Sequence, residues 1–487
     1  MLFNSLEFAI FLPLVFAVYW LLQHFNLRWQ NAWVVASSYF FYGWWDVRFL
    51  ILIAFSTLTD FLIGRALERT IVASQRKYLL WLSIGVNLGL LGFFKYFDFF
   101  VTNFTTAFTL FGSSVEGRLL DIVLPVGISF YTFQTLSYTI DVYRGKLKAT
   151  SNLLSFAAFV SFFPQLVAGP IERATRLLPQ FETRRKFDYT KAADGMRQIL
   201  WGFFKKMVVA DSCAIVVNQV FGSYEYQSGS VLVLGAVFFA FQIYGDFSGY
   251  SDIAIGTARL FGIELMQNFR MPYFARDVAD FWRRWHISLT TWFRDYVYIP
   301  LGGSRNGKWN AVRNTILVFL VSGFWHGANW TFIVWGLYHA LLFLPLLLLN
   351  KNRRYVDSGI DEAKLLPGVG QFLQMVLTFL LVTVGWVFFR AESVTDAFSY
   401  LYAMVSFGPG YFNVNTLFAS TTTLSNFTLL FALLSIVLLL VAEWMQRAKT
   451  HALDIAGWRY RGVIYLLLML FIYIAKGDSA SFIYFQF

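Results

Sequence analysis

Ser322-Gly323-Phe324-Trp325-His326-Gly327-Ala328-Asn329-Trp330 lies inside an apolar run from Thr315 to Asn350. That run exceeds the ~20 residues one membrane-spanning helix needs, so it breaks or tilts, with Gly323 and Gly327 as the places for it. An ionisable group set in lipid is costly, by ~3 kcal/mol or more for a charge at the bilayer centre. A neutral imidazole costs less, yet it still needs a polar partner or a water-filled cavity. His326 therefore reads as the chemical centre and the other helices as its housing.

Upstream of this run comes Phe281-Trp282-Arg283-Arg284-Trp285-His286-Ile287-Ser288-Leu289-Thr290-Thr291-Trp292-Phe293-Arg294-Asp295-Tyr296, then a turn at Pro300-Leu301-Gly302-Gly303-Ser304-Arg305. The whole stretch from Leu265 to Arg313 is rich in arginine and tryptophan and does not read as a span. Its aromatic residues suit an interfacial or re-entrant segment. Helical spacing pairs Asp280 with Arg284 one turn on. The same spacing puts Trp285 and Trp292 on one face.

The composition agrees with a membrane protein. Of 487 residues, 57% are hydrophobic and 20% aromatic, while only 14% are charged. Such values belong to chains in which long apolar runs alternate with short polar connections. A formal net charge of +11 fits cytoplasmic loops rich in Lys and Arg that face anionic lipid, and no soluble basic domain argues for nucleic acid. The single cysteine, Cys213, excludes an internal disulfide and a cysteine-based metal cluster. Met1-Leu2-Phe3-Asn4-Ser5 has no basic residue before the first apolar run, so a retained first helix is expected in place of a signal peptide.

In order, spans are expected over 6–22, 32–45, 47–64, 78–94, 122–140, 153–169 and 199–220, with Lys205-Lys206 near the inner surface. Further spans are expected over 372–389, 424–444 and 463–475, giving ten to twelve membrane segments in one domain covering residues 1–487. Residues 172–197 read as an amphipathic cytoplasmic loop. Tyr244-Gly245-Asp246-Phe247-Ser248-Gly249-Tyr250-Ser251-Asp252 is too polar to face lipid. Asp246, Ser248 and Tyr250 either satisfy one another at a helix junction or form the wall of a substrate tunnel.

On a helix, His326 has Ser322 a turn before it and Asn329 or Trp330 a turn after it. A hydroxyl and an amide would then set the tautomer and orientation of the imidazole, as a general base requires. A hydrogen-bonded core histidine is the other reading. Beside His286, the guanidiniums of Arg283 and Arg284 suit phosphates or a carboxylate, and equally lipid headgroups. No histidine or carboxylate set has metal-ligand spacing, and no glycine-rich phosphate loop is present.

Several segments together give the chain a family likeness. They are Pro125-Val126-Gly127-Ile128-Ser129-Phe130-Tyr131, Asp141-Val142-Tyr143-Arg144-Gly145, Asp246-Phe247-Ser248-Gly249-Tyr250-Ser251-Asp252, Trp282-Arg283-Arg284-Trp285-His286-Ile287-Ser288, Trp325-His326-Gly327 and Tyr484-Phe485-Gln486-Phe487. On these the chain resembles the membrane-bound O-acyltransferase family, in the bacterial branch that includes alginate O-acetyltransferases. Gly245 is a departure, since relatives often place a bulky residue there. The resemblance implies an all-α polytopic membrane protein, a ring of tilted transmembrane and re-entrant helices around a catalytic tunnel. It also implies that His326 is the catalytic histidine and His286 the second active-site histidine.

The activity expected is transfer of an acetyl or similar short acyl group from a cytoplasmic thioester such as acetyl-CoA to hydroxyls of a secreted or cell-wall polysaccharide. His326 takes the hydroxyl proton, while His286 or a nearby hydroxyl meets the developing oxyanion. Arg283 and Arg284 are candidate donor-phosphate contacts, with Asp246, Ser248, Tyr250, Ser322 and Asn329 as further substrate-binding candidates. No bound cofactor or metal is expected. Membrane lipids surround the chain in the bacterial inner membrane, and the resemblance implies an extracytoplasmic partner of the SGNH-hydrolase type that carries the acyl group onward. The alternative is a polysaccharide export or scaffold component without catalysis of its own. The apolar ending Phe482-Ile483-Tyr484-Phe485-Gln486-Phe487 should not be left in water: it packs back on the helices, fills the outer tunnel mouth or docks that partner, and the resemblance favours the partner.

Overall fold

The computed structural model describes residues 1–110, 119–120, 122–167, 169–356, 365–415, 425–455, 457, 459–475 and 482–483, and every regular element among them is helical. Seven helical stretches among the described residues are long and apolar enough to cross a membrane. They are Leu6–His24, Phe49–Arg69, Ala73–Thr109, Gly229–Leu260, Trp330–Leu348, Val369–Arg390 and Asn426–Met445. The count is lower than the ten to twelve expected, and the reason is helix length: Ile128–Tyr143 has 16 residues and Leu153–Ser161 has 9, short of the ~20 that one span needs. Both also bury most of their side chains in protein. Hydropathy does not distinguish an apolar surface facing protein from one facing lipid.

The described residues group into two compact units, Met1–Gly195 with Ala254–Met266, and Met196–Ile253 with Gln267–Phe487. The first begins with α1 (Leu6–Leu21), α2 (Leu27–Gly43), α3 (Phe49–Arg69) and α4 (Ala73–Leu91), followed by α5 (Phe97–Leu110), α6 (Ile128–Tyr143), α7 (Leu153–Ser161), α8 (Phe163–Leu166) and α9 (Ala174–Glu182). Ser5, Asn26 and Asn152 cap α1, α2 and α7 by accepting backbone N–H groups, which satisfies donors that a helix start leaves open. Asp60 on α3 is fully buried and accepts from Ser83 Oγ at 2.5 Å, Asn87 Nδ2 at 2.8 Å and Thr139 Oγ1 at 3.0 Å. One carboxyl group thus ties α3 to α4 and α6, each of its bonds replacing one lost to water. The stretch expected as a cytoplasmic loop, residues 172–197, is largely helical in α9 and α10 (Tyr189–Phe203). Glu172 just before α9 accepts the N–H of Met266, and burial pushes its carboxyl up to about 7.

The second unit contains α11 (Asp211–Gly222), most of α12 (Gly229–Leu260), α13 (Val278–Arg284), α14 (Ile287–Phe293), α15 (Lys308–His326), α16 (Trp330–Leu348), α17 (Val369–Arg390), α18 (Val394–Val405), α19 (Asn426–Met445) and α20 (Arg461–Ile474). A wide helical turn over Phe204–Ala210 leads into α11 and lies close against α12. A Cβ on Gly245 would stand 2.8 Å from the Lys205 carbonyl oxygen, and one on Gly249 the same distance from that of Gly202. Glycine at both positions therefore makes room for backbone. Lys205 and Lys206, expected near the inner surface, are buried within the protein and held by carboxylates. Lys205 pairs with Asp252, while Lys206 Nζ lies 2.7 Å from Asp246 and 2.8 Å from Asp211. Burying charges at this depth requires opposite charges in contact, which these pairs supply.

The long apolar run breaks at Gly327, between α15 and α16, while Gly323 remains helical. Its role is close approach. A Cβ on Gly323 would stand 2.2 Å from the Phe332 carbonyl oxygen, and one on Gly336 2.3 Å from that of Phe319. Of the apolar chain end, two residues are described. Phe482 and Ile483 are buried, with the Phe482 ring centroid 4.2 Å from that of Tyr250. The closing residues 484–487 lie outside the described residues.

Candidate active site

His326 is the last residue of α15 and is buried, with ring centroids of Trp325, Trp335 and Phe389 at 5.0, 5.1 and 5.3 Å. A helix C-terminus carries partial negative charge, so a proton taken up by this imidazole is held where a cation is stabilised. Because the helix ends here, Asn329 does not stand a turn further along it, which corrects the expected flanking pair. Asn329 caps α16 instead, accepting from Thr331 N at 3.0 Å and donating to the Glu392 carbonyl at 2.9 Å. Ser322 keeps its expected place one turn before His326.

Ser322 faces a cavity of about 750 Å³, whose other walls include Trp282, Arg283, Thr290, Arg294 and Arg353. Arg283 donates to the Asn352 carbonyl at 2.8 Å, which holds its guanidinium at the wall. Arg294 and Arg353 are exposed, so they stand at the rim. Arg284 is placed differently. Its Nε donates to Asp280 Oδ1 at 2.9 Å, the pair that helical spacing predicted. Asp277 fixes the start of α13 by accepting from Asp280 N at 2.7 Å.

α13 ends before His286, which adopts φ 42°, ψ 53° and opens α14. Trp285 and Trp292 therefore do not share a helix face. The reversal turns His286 into the protein, where it is fully buried. Its ring centroid lies 4.6 Å from that of Phe247 on α12 and 6.1 Å from that of Trp325, the neighbour of His326. Its Nδ1 lies 3.1 Å from Asn268 Oδ1. Burial pushes the imidazole down to about 3, which keeps it neutral at physiological pH.

Of the α12 candidates, Asp246 holds Lys206 and accepts from Ile483 N at 2.7 Å, and Ser248 and Tyr250 are buried beside it. None of the three is among the cavity walls named for Ser322 and Arg283. His339 is fully buried between Trp282 and Trp335, each with its ring centroid 5.1 Å away. Sequence reasoning missed Asn268, Arg294 and Arg353. Only Arg294 carried a local signal, as part of the same arginine-rich stretch.

Residues 146–357 match the family model for membrane-bound O-acyltransferases. The chain is 39% identical to a probable alginate O-acetylase AlgI of Pseudomonas putida over the full length of both proteins. It is 37% identical to a peptidoglycan O-acetyltransferase of Helicobacter pylori, over 83% of this chain and 80% of that one. A teichoic acid D-alanyltransferase of Bacillus subtilis is 30% identical, over 55% of this chain and 69% of that protein. The arginine–tryptophan–histidine segment, His326 and the cavity walls all fall inside the matched region.

Proposed function

The chain belongs to the membrane-bound O-acyltransferase family, as a multi-pass inner-membrane enzyme, and from that premise we propose what it transfers and to what. The donor is a cytoplasmic thioester of the acetyl-CoA type carrying an acetyl or similarly short acyl group. The final acceptors are hydroxyls of a secreted or cell-wall polysaccharide, reached with the help of an extracytoplasmic SGNH-hydrolase-like partner. The relatives that carry alginate, peptidoglycan and teichoic acid in their names support a polymer acceptor.

The observation that carries the donor reading is the cavity, in which guanidiniums of Arg283, Arg294 and Arg353 stand on walls shared with Ser322, one turn from His326. Guanidiniums bind phosphate oxygens in charge-assisted, often bidentate bonds. The rim continues into Lys351, Arg353 and Arg354, a basic run of the kind that stays cytoplasmic.

His326 takes the proton of the acceptor hydroxyl as its oxygen attacks the thioester carbonyl carbon. The tetrahedral intermediate collapses with cleavage of the C–S bond, and the leaving thiolate takes the proton back from the imidazolium. Cys213 is fully buried in α11, which supports direct transfer without an acyl-cysteine. Incubating membranes that contain the chain and its extracytoplasmic partner with radiolabelled acetyl-CoA and an oligosaccharide acceptor tests the reading. Label transfer that requires His326 is expected; equal transfer without His326 would remove it from the chemistry, and none by the native chain together with its extracytoplasmic partner favours the export or scaffold alternative.

A further inference from the structure

Asn268 is fully buried and stands 18 residues before His286 in the chain. Its amide has only one orientation open to it. The backbone N–H of Ser288 donates to Oδ1 at 3.3 Å, and Ser288 Oγ donates to the same oxygen at 2.8 Å. On its other side Nδ2 donates to Ser251 Oγ at 3.1 Å. A backbone N–H cannot accept, so the atom it meets is the amide oxygen. That oxygen also faces His286 Nδ1 at 3.1 Å. Two acceptors at this separation repel, so Nδ1 carries the hydrogen.

The backbone reinforces the arrangement. His286 sits in the left-handed region at φ 42°, uncommon for a residue with a side chain, and Ile287 N donates to the Asn268 carbonyl at 2.8 Å. Neutrality completes the argument, since burial keeps the ring unprotonated at physiological pH. In a neutral imidazole with its hydrogen on Nδ1, Nε2 has only a lone pair to offer.

We infer that Asn268 is a positioning residue that locks His286 as the Nδ1–H tautomer, so that His286 offers Nε2 as an acceptor to a substrate O–H or N–H and does not donate to the oxyanion. This rests on the acyl-transfer reading of the site. The two histidines then do different work. His326 moves the proton, and His286 holds a substrate hydrogen-bond donor in register, such as a second hydroxyl of a sugar. The oxyanion is met by another donor.

The test is ¹⁵N NMR of histidine-labelled, full-length protein in lipid nanodiscs, with the His286 signals identified by their loss in His286→Gln. At neutral pH, a protonated Nδ1 and an unprotonated Nε2 are expected. Asn268→Leu should release the lock and populate the Nε2–H tautomer. Asn268→Asp keeps the acceptor and adds a charge, so Nδ1–H should persist while the titration of His286 moves up by about one to three pH units. An Nε2–H tautomer or an imidazolium in the native protein at neutral pH would overturn the inference. So would a tautomer unchanged in folded Asn268→Leu, or an unmoved titration in Asn268→Asp. If the leucine variant does not fold, the native and aspartate measurements decide the matter. None of these readouts needs turnover, so absent acetyl transfer by the native chain together with its extracytoplasmic partner would sink the acyl-transfer reading while the tautomer result stood.

Discussion

The backbone N–H of Ile483 donates to Asp246 Oδ2 at 2.7 Å, which fastens the chain's end to the middle of α12. The same carboxylate takes Lys206 at 2.7 Å on its other oxygen. The aromatic ending is thus partly core, as Phe482 beside it is fully buried against Tyr250. Deleting residues 482–487 is expected to lower the amount of folded protein in the membrane and its melting temperature in detergent. Phe482→Ala alone should cost about 3–5 kcal/mol of stability, the usual range for a buried phenylalanine. Normal expression and melting of the truncated chain, with transfer to the polymer alone lost, would return the tail to a partner-docking role.

His326→Ala and His326→Gln should reduce transfer by about 10²–10⁴-fold, the range for loss of a general base, while expression and membrane insertion stay normal. Label transfer from radiolabelled acetyl-CoA at saturating donor is the measurement. Activity within a few-fold of the native enzyme in either variant would remove His326 from the chemistry.

Arg283 and Arg284 should separate, although they are neighbours in the chain. Arg283→Ala removes a cavity wall and is expected to raise KM for a CoA-borne donor about tenfold or more, with little change for a short thioester lacking phosphate. Arg284→Ala removes the 2.9 Å partner of buried Asp280 and should lower stability by about 1–3 kcal/mol, whichever donor is used. Equal donor effects for both variants would show that the cavity wall does not recognise phosphate.

Glu172 and His286 should pull the pH dependence of stability in opposite directions. Glu172 is raised to about 7, so in the folded chain its ionisation is the costly step. Its contribution is full below the ordinary carboxylate range and is lost as pH rises toward 7 and beyond. Glu172→Gln should therefore match the native protein near pH 4 and exceed it above pH 8, by up to about 3 kcal/mol. His286 is lowered to about 3, so its contribution is full above the ordinary imidazole range and is lost as pH falls toward 3. A His286→Gln variant should lose less stability than the native protein between pH 6.5 and pH 4. Melting curves across pH check both, and parallel curves for variant and native protein would contradict the burial of that side chain.

Gly336→Ala should disturb the α15–α16 hairpin, since its Cβ would stand 2.3 Å from the Phe319 carbonyl oxygen. A stability loss of about 1–3 kcal/mol is expected, with a fall in transfer because the hairpin carries His326 at its bend. An alanine variant that melts and turns over like the native chain would show that the two helices can part at no cost.

By itself the sequence determined that the chain is helical and lives in a membrane, because apolar runs of spanning length leave no other way to satisfy the backbone in lipid. It also singled out Trp325-His326-Gly327 and the arginine–tryptophan–histidine segment, since an imidazole in an apolar run needs a reason. The Asp280–Arg284 pair was legible because it lies within one turn of one helix. Tertiary structure alone decided the rest. Whether α13 continued through His286 depended on bonds from Asn268, 18 residues away, which outweigh the local preference for an unbroken helix. That Lys205 and Lys206 are buried against Asp252, Asp246 and Asp211 depends on contacts between helices, which spacing along one helix does not give. Short-range pattern carries spacing within a helix. Which charge or hydrogen-bond donor meets which across helices is set only when the chain has packed and buried groups must find partners.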